Sequence, residues 1–158
     1  MQKHTESSER ILGFISGTPM TRELHPRILE TLASVARTEC YAEGDYLFRR
    51  DDPADFCHII QEGNVWLQDR GEGGEVHVWQ LGPGDMAGWS WLVPPHRYLL
   101  DARAATPVVS VVLDAFRLRE MIESDHELVY QLLKRCISVA ASRIRSERLE
   151  RVHASPWA

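Results

Sequence analysis

Between Glu39 and Asp114 the chain is cut every few residues by a turn signal: "EGD", "DDPAD", "QEGN", "GEGG" and "GPGD" separate short apolar runs. Gly, Pro, Asn and Asp supply the left-handed and pre-bent backbone that tight turns need, and at this spacing they leave room for strands of about four to six residues and no helix. Such a stretch can bury its apolar residues only as a compact all-β roll or barrel. Within it, "VWLQ" and "VHVWQL" alternate in character, which predicts that Val65, Leu67, Val76, Val78 and Gln80 share one face. "RGEGGE" reads as the tip of a hairpin.

The flanks have helical spacing instead. From Glu9 to about Ala36 the apolar residues Ile11, Leu12, Phe14, Ile15, then Ile28, Leu29, Leu32 and Val35 predict two short helices, broken at Gly17-Thr18-Pro19. Pro26 suits the first turn of the second, where its missing amide proton would have no helical partner. After Asp114, "AFRLREMIE" predicts a short helix, and Ser124 with Glu127 forms a capping-box pattern that predicts a long helix from Asp125 to about Val152. The chain thus divides into N-terminal helices (1–38), a roll (39–114) and a helical C-terminal part (115–158) within a single domain, the ordinary expectation for 158 residues.

The long helix would span roughly 40 Å, more than the roll alone covers. Leu128, Val129, Leu132, Leu133, Cys136, Ile137, Val139, Ala140 and Ile144 fall on an arc of about 180°, wider than the roughly 100° that one packing partner requires. Val129, Leu133, Cys136, Ile137, Ala140 and Ile144 are therefore candidate contacts with a second copy of the helix. Farther on, Arg143, Arg145, Arg148 and Arg151 read as a solvated helix end whose cations suit the negative end of the dipole.

Composition removes several classes of function. A formal net charge of −5 argues against a protein built to grip a phosphate backbone. The polar start "MQKHTESSER" lacks the apolar core of a signal peptide, and no apolar run approaches the length of a membrane span, so a cytoplasmic protein is expected. Cys40, Cys57 and Cys136 are odd in number and far apart, which predicts free thiols. The seven histidines show no metal-ligand spacing, and no metal is expected. "GWSWL" falls short of a nucleophile elbow because Leu92 stands where the sharp turn needs a small residue, so Ser90 is not expected to be a nucleophile and no enzyme activity is expected. Asp101 and Arg103 are two apart on a strand and so share a face, where they are expected to form a structural ion pair, with each other or with a neighbouring strand.

Helices, a roll of short strands and a long C-terminal helix in this order, with "YAEGDYLFRRDDPADFCHIIQEGNVWL", "LGPGDMAGWSWL" and "ARAATPVVSVVLD", resemble the cyclic-nucleotide-binding domain of the catabolite-activator and fumarate-nitrate-regulator group. The resemblance spans roughly residues 10 to 150. It implies a mainly β fold with flanking α: a double-stranded β-helix, or jelly roll. In that family Gly-Glu opens a one-turn helix whose amides, with an arginine some ten residues later in Arg-[Ser/Thr]-Ala, hold the cyclic phosphate, while the glutamate takes the ribose hydroxyl. Amides at a helix start favour anions and a guanidinium matches phosphate.

This chain departs from that pattern at the pocket. Gly88 keeps the glycine, but Trp89 takes the glutamate position; counting back from Arg103-Ala104 puts Tyr98 at the arginine position, and moving the gap by one residue puts Arg97 there instead. Asp51 stands where the family has a turn glycine, a mild change because Asp tolerates the left-handed conformation. Losing a carboxylate contact and an arginine removes about 4 to 6 kcal/mol at about 1.5 to 3 per charged hydrogen bond, enough to take a micromolar site to roughly millimolar. Two readings stay open for Gly88, Trp89, Ser90, Trp91, His96, Arg97 and Tyr98. Either they form a remodelled pocket for another ligand, with a nucleotide as candidate, or the indoles plug the old cavity.

The resemblance implies no DNA binding by this chain, since the helix-turn-helix of the family's transcription factors does not follow the long helix. It leaves two roles, a homodimeric ligand-sensing regulatory module acting on a protein partner and an accessory subunit of a larger enzyme, such as a NAD-linked oxidoreductase of the soluble-hydrogenase type.

Overall fold

A computed structural model describes residues 2–71 and 73–153. Helices α1 (Gln2–Gly17) and α2 (Pro26–Ser34) precede strands β1 (Ala36–Tyr41), β2 (Tyr46–Phe48), β3 (Phe56–Glu62), β4 (Val65–Gly71), β5 (Gly74–Leu81) and β6 (Met86–Ala87). A 3-10 turn (Trp89–Leu92) leads to β7 (Asp101–Ala104), β8 (Val108–Asp114), α3 (Ala115–Ile122) and α4 (His126–His153). The strands form two antiparallel four-stranded sheets, in the orders β1-β8-β3-β6 and β2-β7-β4-β5. This is the jelly roll with flanking helices that the turn spacing and the resemblance predict.

Strands β3 and β8 are buried on both faces because the roll lies on one side and helices on the other. Cys57 and Leu113, paired across the two strands, line a void of about 10 Å³ with Leu32, Leu132 and Cys136 from the helices. His58, one residue on, points the other way and meets the rings of Tyr41 and Phe48. Val108, Val111 and Val112 fill the middle of the stack, where β-branched side chains pack well on a pleated surface.

Several elements start or pair differently from the sequence reading. Helix α1 begins at Gln2, since polar residues with adequate helix propensity extend it ahead of its apolar stripe. Strand β1 begins at Ala36 and draws the boundary between helices and roll back by a few residues. In the β4–β5 ladder, Leu67 pairs with Trp79 but Gln68 with His77, so β5 carries one extra residue there. That bulge breaks the alternation: Trp79 packs against the core while Val76 and Val78 are exposed and do not share a buried face with Val65 and Leu67. Asp101 and Arg103 do not pair with each other. Asp101 accepts from the Arg50 amide at 2.7 Å, and Arg103 reaches Glu75 and the Gly44 carbonyl.

The cap of α4 also shifts by one residue. Asp125 Oδ1 accepts from the Leu128 amide at 3.0 Å, whereas the Ser124 hydroxyl turns back to the Met121 carbonyl. A carboxylate is the better partner for the positive end of the helix, and Asp125 also meets Arg27 at 2.6 Å. Arg135 adds a second clamp, donating to the Met20 and Pro19 carbonyls and pairing with Glu23. These contacts tie the first half of α4 to the α1–α2 region. The side chains of Arg143, Arg148 and Arg151 and the tail 154–158 lie outside the described residues.

His58 supplies a measurable consequence of the roll's packing. It is 2% exposed, and its Nδ1 has no hydrogen-bond partner among the described residues. Burial pushes its pKa down to about 4, opposed by the Glu39 carboxylate and helped by the Arg37 cation. The unfolded chain takes up a proton near pH 6.5 that the folded chain refuses until about pH 4, so stability is full above 6.5 and falls as pH drops through that window. Urea titrations at pH 7 and pH 4.5 should show the parent losing about 2 to 3 kcal/mol more than His58→Phe, which cannot titrate. Equal losses would show that His58 is solvated in the folded state.

Candidate functional site

The segment between β6 and β7 forms the site that the sequence singles out. Gly88 opens it with φ of +89°, a conformation that costs an L-residue about 1–2 kcal/mol. Space demands glycine as well: a Cβ there would lie 3.1 Å from the Phe56 carbonyl oxygen and 3.2 Å from the Tyr98 ring. The cradle under the 3-10 turn is therefore occupied by protein.

Tyr98 is the occupant. Its ring is 3% exposed and stacks on Phe48 with centroids 3.9 Å apart and planes 11° from parallel. Its hydroxyl donates to the Phe56 carbonyl at 2.7 Å and lies 3.2 Å from the Phe56 amide nitrogen, which donates to it. Burial pushes the phenol up to about 12, so the ring is neutral at any physiological pH. The ring's one polar atom is already satisfied by backbone.

The neighbouring basic side chains do not replace that cation. Arg97 is exposed and donates to the Asp51 carbonyl at 2.5 Å, and its backbone bridges to Pro53. Asp51 itself has φ of +69°, the left-handed turn expected at that position. Further bonds lace the two loops together: Asp51 amide to Tyr98 carbonyl (2.9 Å), Tyr98 amide to Asp52 carbonyl (3.1 Å), and Ala54 amide to His96 carbonyl (2.8 Å). The His96 ring bonds the Trp91 carbonyl through Nδ1 at 2.9 Å. Both side chains are thus held by backbone carbonyls beside the cradle rather than in it.

The two indoles separate. Trp91 is buried in the core, while half-buried Trp89 lines an apolar groove of about 410 Å³. Trp79, Leu92 and Val93 border the same groove, and its opposite wall is α4. Ser90 is half-buried in the 3-10 turn, where its carbonyl accepts from the Val93 amide. Of the candidate contacts on α4, Leu133, Ile137, Ala140 and Ile144 are exposed, whereas Val129 and Cys136 are half-buried. The sequence reading missed Phe48, Phe56 and Trp79. Phe48 sits at the end of a three-residue strand whose facing cannot be read from so short an alternation, and Trp79 depends on the bulge.

Among the described residues no group of three His, Cys, Asp or Glu side chains stands together in a way that could hold a metal ion, and no helix is long and apolar enough to cross a membrane.

The roll, the 3-10 turn after β6 and the flanking helices define a class that sequence comparison names. The family model of the cyclic nucleotide-binding domain matches residues 38–125, and the chain belongs to that family. No curated protein matches it. Among solved structures, a protein of Geobacter metallireducens assigned to the cyclic nucleotide-binding proteins is 27% identical, with TM-score 0.76 over 87% of this chain and 98% of its own. The regulatory subunit of a cAMP-independent protein kinase A from Trypanosoma brucei is 25% identical, with TM-score 0.66 over 83% of this chain and 53% of its own. This chain therefore spans about half the length of that subunit. A triple mutant of the same subunit, with an arginine among the introduced residues, is bound to cAMP in its A site.

The Tyr98 hydroxyl gives the filled cradle a direct test. Tyr98→Phe removes both bonds to Phe56 and keeps the stack, so it should lower the unfolding free energy by about 1–2 kcal/mol in urea while the circular dichroism spectrum is unchanged. No loss of stability would mean that the hydroxyl is exchanged for water and the cradle is open.

Proposed function

We propose that this chain is a non-catalytic regulatory module of the cyclic nucleotide-binding type that does not take cAMP in the family's usual way. In this reading it pairs with a second copy through α4 and acts on a protein partner. The observation that carries the reading is Tyr98, stacked on Phe48 and bonded to Phe56 at the place where the phosphate-binding arginine of the resembled family would stand. The cAMP-independent kinase subunit from Trypanosoma brucei supports it, since the same fold there serves a regulatory role without dependence on cAMP, and its cAMP-bound form carries an introduced arginine.

The remodelled pocket then lies on the other side of the 3-10 turn, where Trp89 faces α4. A ligand that enters from this side gains stacking on an indole rather than charge pairing, because among the described residues the groove walls carry no charged side chain. A structural change at Trp89 would reach α4 directly, since both border one groove, and α4 is the element available to a partner.

Thermal shift and calorimetric titration with cAMP, cGMP, NADH and NADPH test the proposal. Neither cyclic nucleotide should bind at low micromolar concentration. A ligand present at 100 times its dissociation constant adds about 2.7 kcal/mol, a shift readily seen. Low-micromolar cAMP binding that vanishes in Arg97→Ala would overturn the reading and make Arg97 the phosphate ligand. A shift with a dinucleotide would identify the ligand class, and silence from all four would favour an accessory subunit of a larger enzyme that uses the fold as a docking platform.

A further inference from the structure

The helices meet β3 at a small void that is rich in sulfur. Cys57 of β3, Met86 of β6, Met20 from the link between α1 and α2, and Cys136 of α4 all line it. Pairing explains why residues so far apart in the sequence converge there. Met86 lies opposite Ile59 in the ladder, and Ile59 is two residues from Cys57, so Met86 and Cys57 stand on the same face of the sheet. Arg135 donates to the Met20 carbonyl at 2.9 Å, which brings Met20 beside the next residue of α4, Cys136.

The void measures about 10 Å³, at the lower limit for one water and far too small for an organic ligand. Water is also a poor occupant, since it needs about two to four polar partners, and among the described residues no lining side chain carries an oxygen or a formal charge. Two thiols alone make no metal site of the His, Cys, Asp and Glu kind. Thioethers complete a different donor set, because sulfur is soft and polarisable and selects soft cations over hard ones. A second observation points the same way. Trp91, 3% exposed, borders the void, and its Nε1 has no hydrogen-bond partner among the described residues. It stands beside Cys57, where an N–H stabilises a thiolate.

We infer that this void is a site for one soft monovalent cation of the copper(I) class, held by the Cys57 thiolate with Cys136, Met20 and Met86 as neutral sulfur donors. On binding, the Cys57 S–H gives its proton to solvent and the sulfur takes the cation in its place, so the buried group stays neutral. That balance selects the charge of the ion. A divalent cation on one thiolate, or a monovalent one on two, would leave a unit charge among apolar side chains, which burial penalises heavily. A divalent cation on both thiolates would be neutral, but zinc takes thiolate, imidazole and carboxylate rather than thioether. An ion held here ties α4 to β3, β6 and the link between α1 and α2.

Anaerobic titration of the reduced full chain with copper(I), supplied as its bicinchoninate complex, tests the inference. One equivalent should transfer to the chain with release of one proton, and the thermal midpoint should rise. Cys57→Ala should weaken binding about a hundredfold or more, and Met20→Leu and Met86→Leu, which conserve volume and fold, about tenfold each. Cys40→Ser, at an exposed thiol that does not line the void, should leave it within about twofold. Transfer that is lost in Cys40→Ser, or unchanged in both leucine variants, would show capture by a thiol alone and overturn the site. Failure to take copper(I) from bicinchoninate would overturn it as well. So would one equivalent of zinc bound as tightly and with the same dependence on Cys57.

Discussion

The stacking of Tyr98 on Phe48 is the contact on which the functional half of this molecule depends. It places a flat ring under the 3-10 turn, 3.2 Å from where a Cβ on residue 88 would stand, and its hydroxyl satisfies both backbone groups of Phe56 at the start of β3. Because the adjacent residues 96–98 are laced to 51–54 by backbone bonds, the ring also fixes the loop between β2 and β3.

The residues around Tyr98 have partners of their own. Arg97 bonds a carbonyl at the surface, His96 bonds the Trp91 carbonyl, and Trp91 joins the core. Trp89 is the exception, being half-buried against the groove that α4 closes. The long helix is held at its start by Asp125 with Arg27 and by Arg135 with Glu23 and two carbonyls, which fix its first half.

Much of the architecture was legible in the sequence because it is set by local chemistry. Turn residues at short intervals predict the strands, Pro26 opens α2, and Asp51 takes the left-handed turn. What was not legible depends on register. The extra residue in β5 exposes Val76 and Val78 and turns Trp79 inward, and no alternation pattern announces a bulge. Asp101 and Arg103 share a strand, yet each finds a better partner on another element, Arg50 and Glu75. That the Tyr98 ring packs under Gly88 was not legible either, because this requires Phe48 and Phe56 to arrive from strands far away in the chain.

The most direct measurement is hydrogen exchange of the amides of residues 88 to 92 with and without millimolar cAMP, followed by mass spectrometry or NMR. In the resembled family these amides hold the cyclic phosphate, and a bound phosphate would slow their exchange. With Tyr98 in the cradle they should exchange at the same rate in the presence and absence of the nucleotide. Protection of these amides by cAMP would show that the ring yields to the phosphate and would contradict the account.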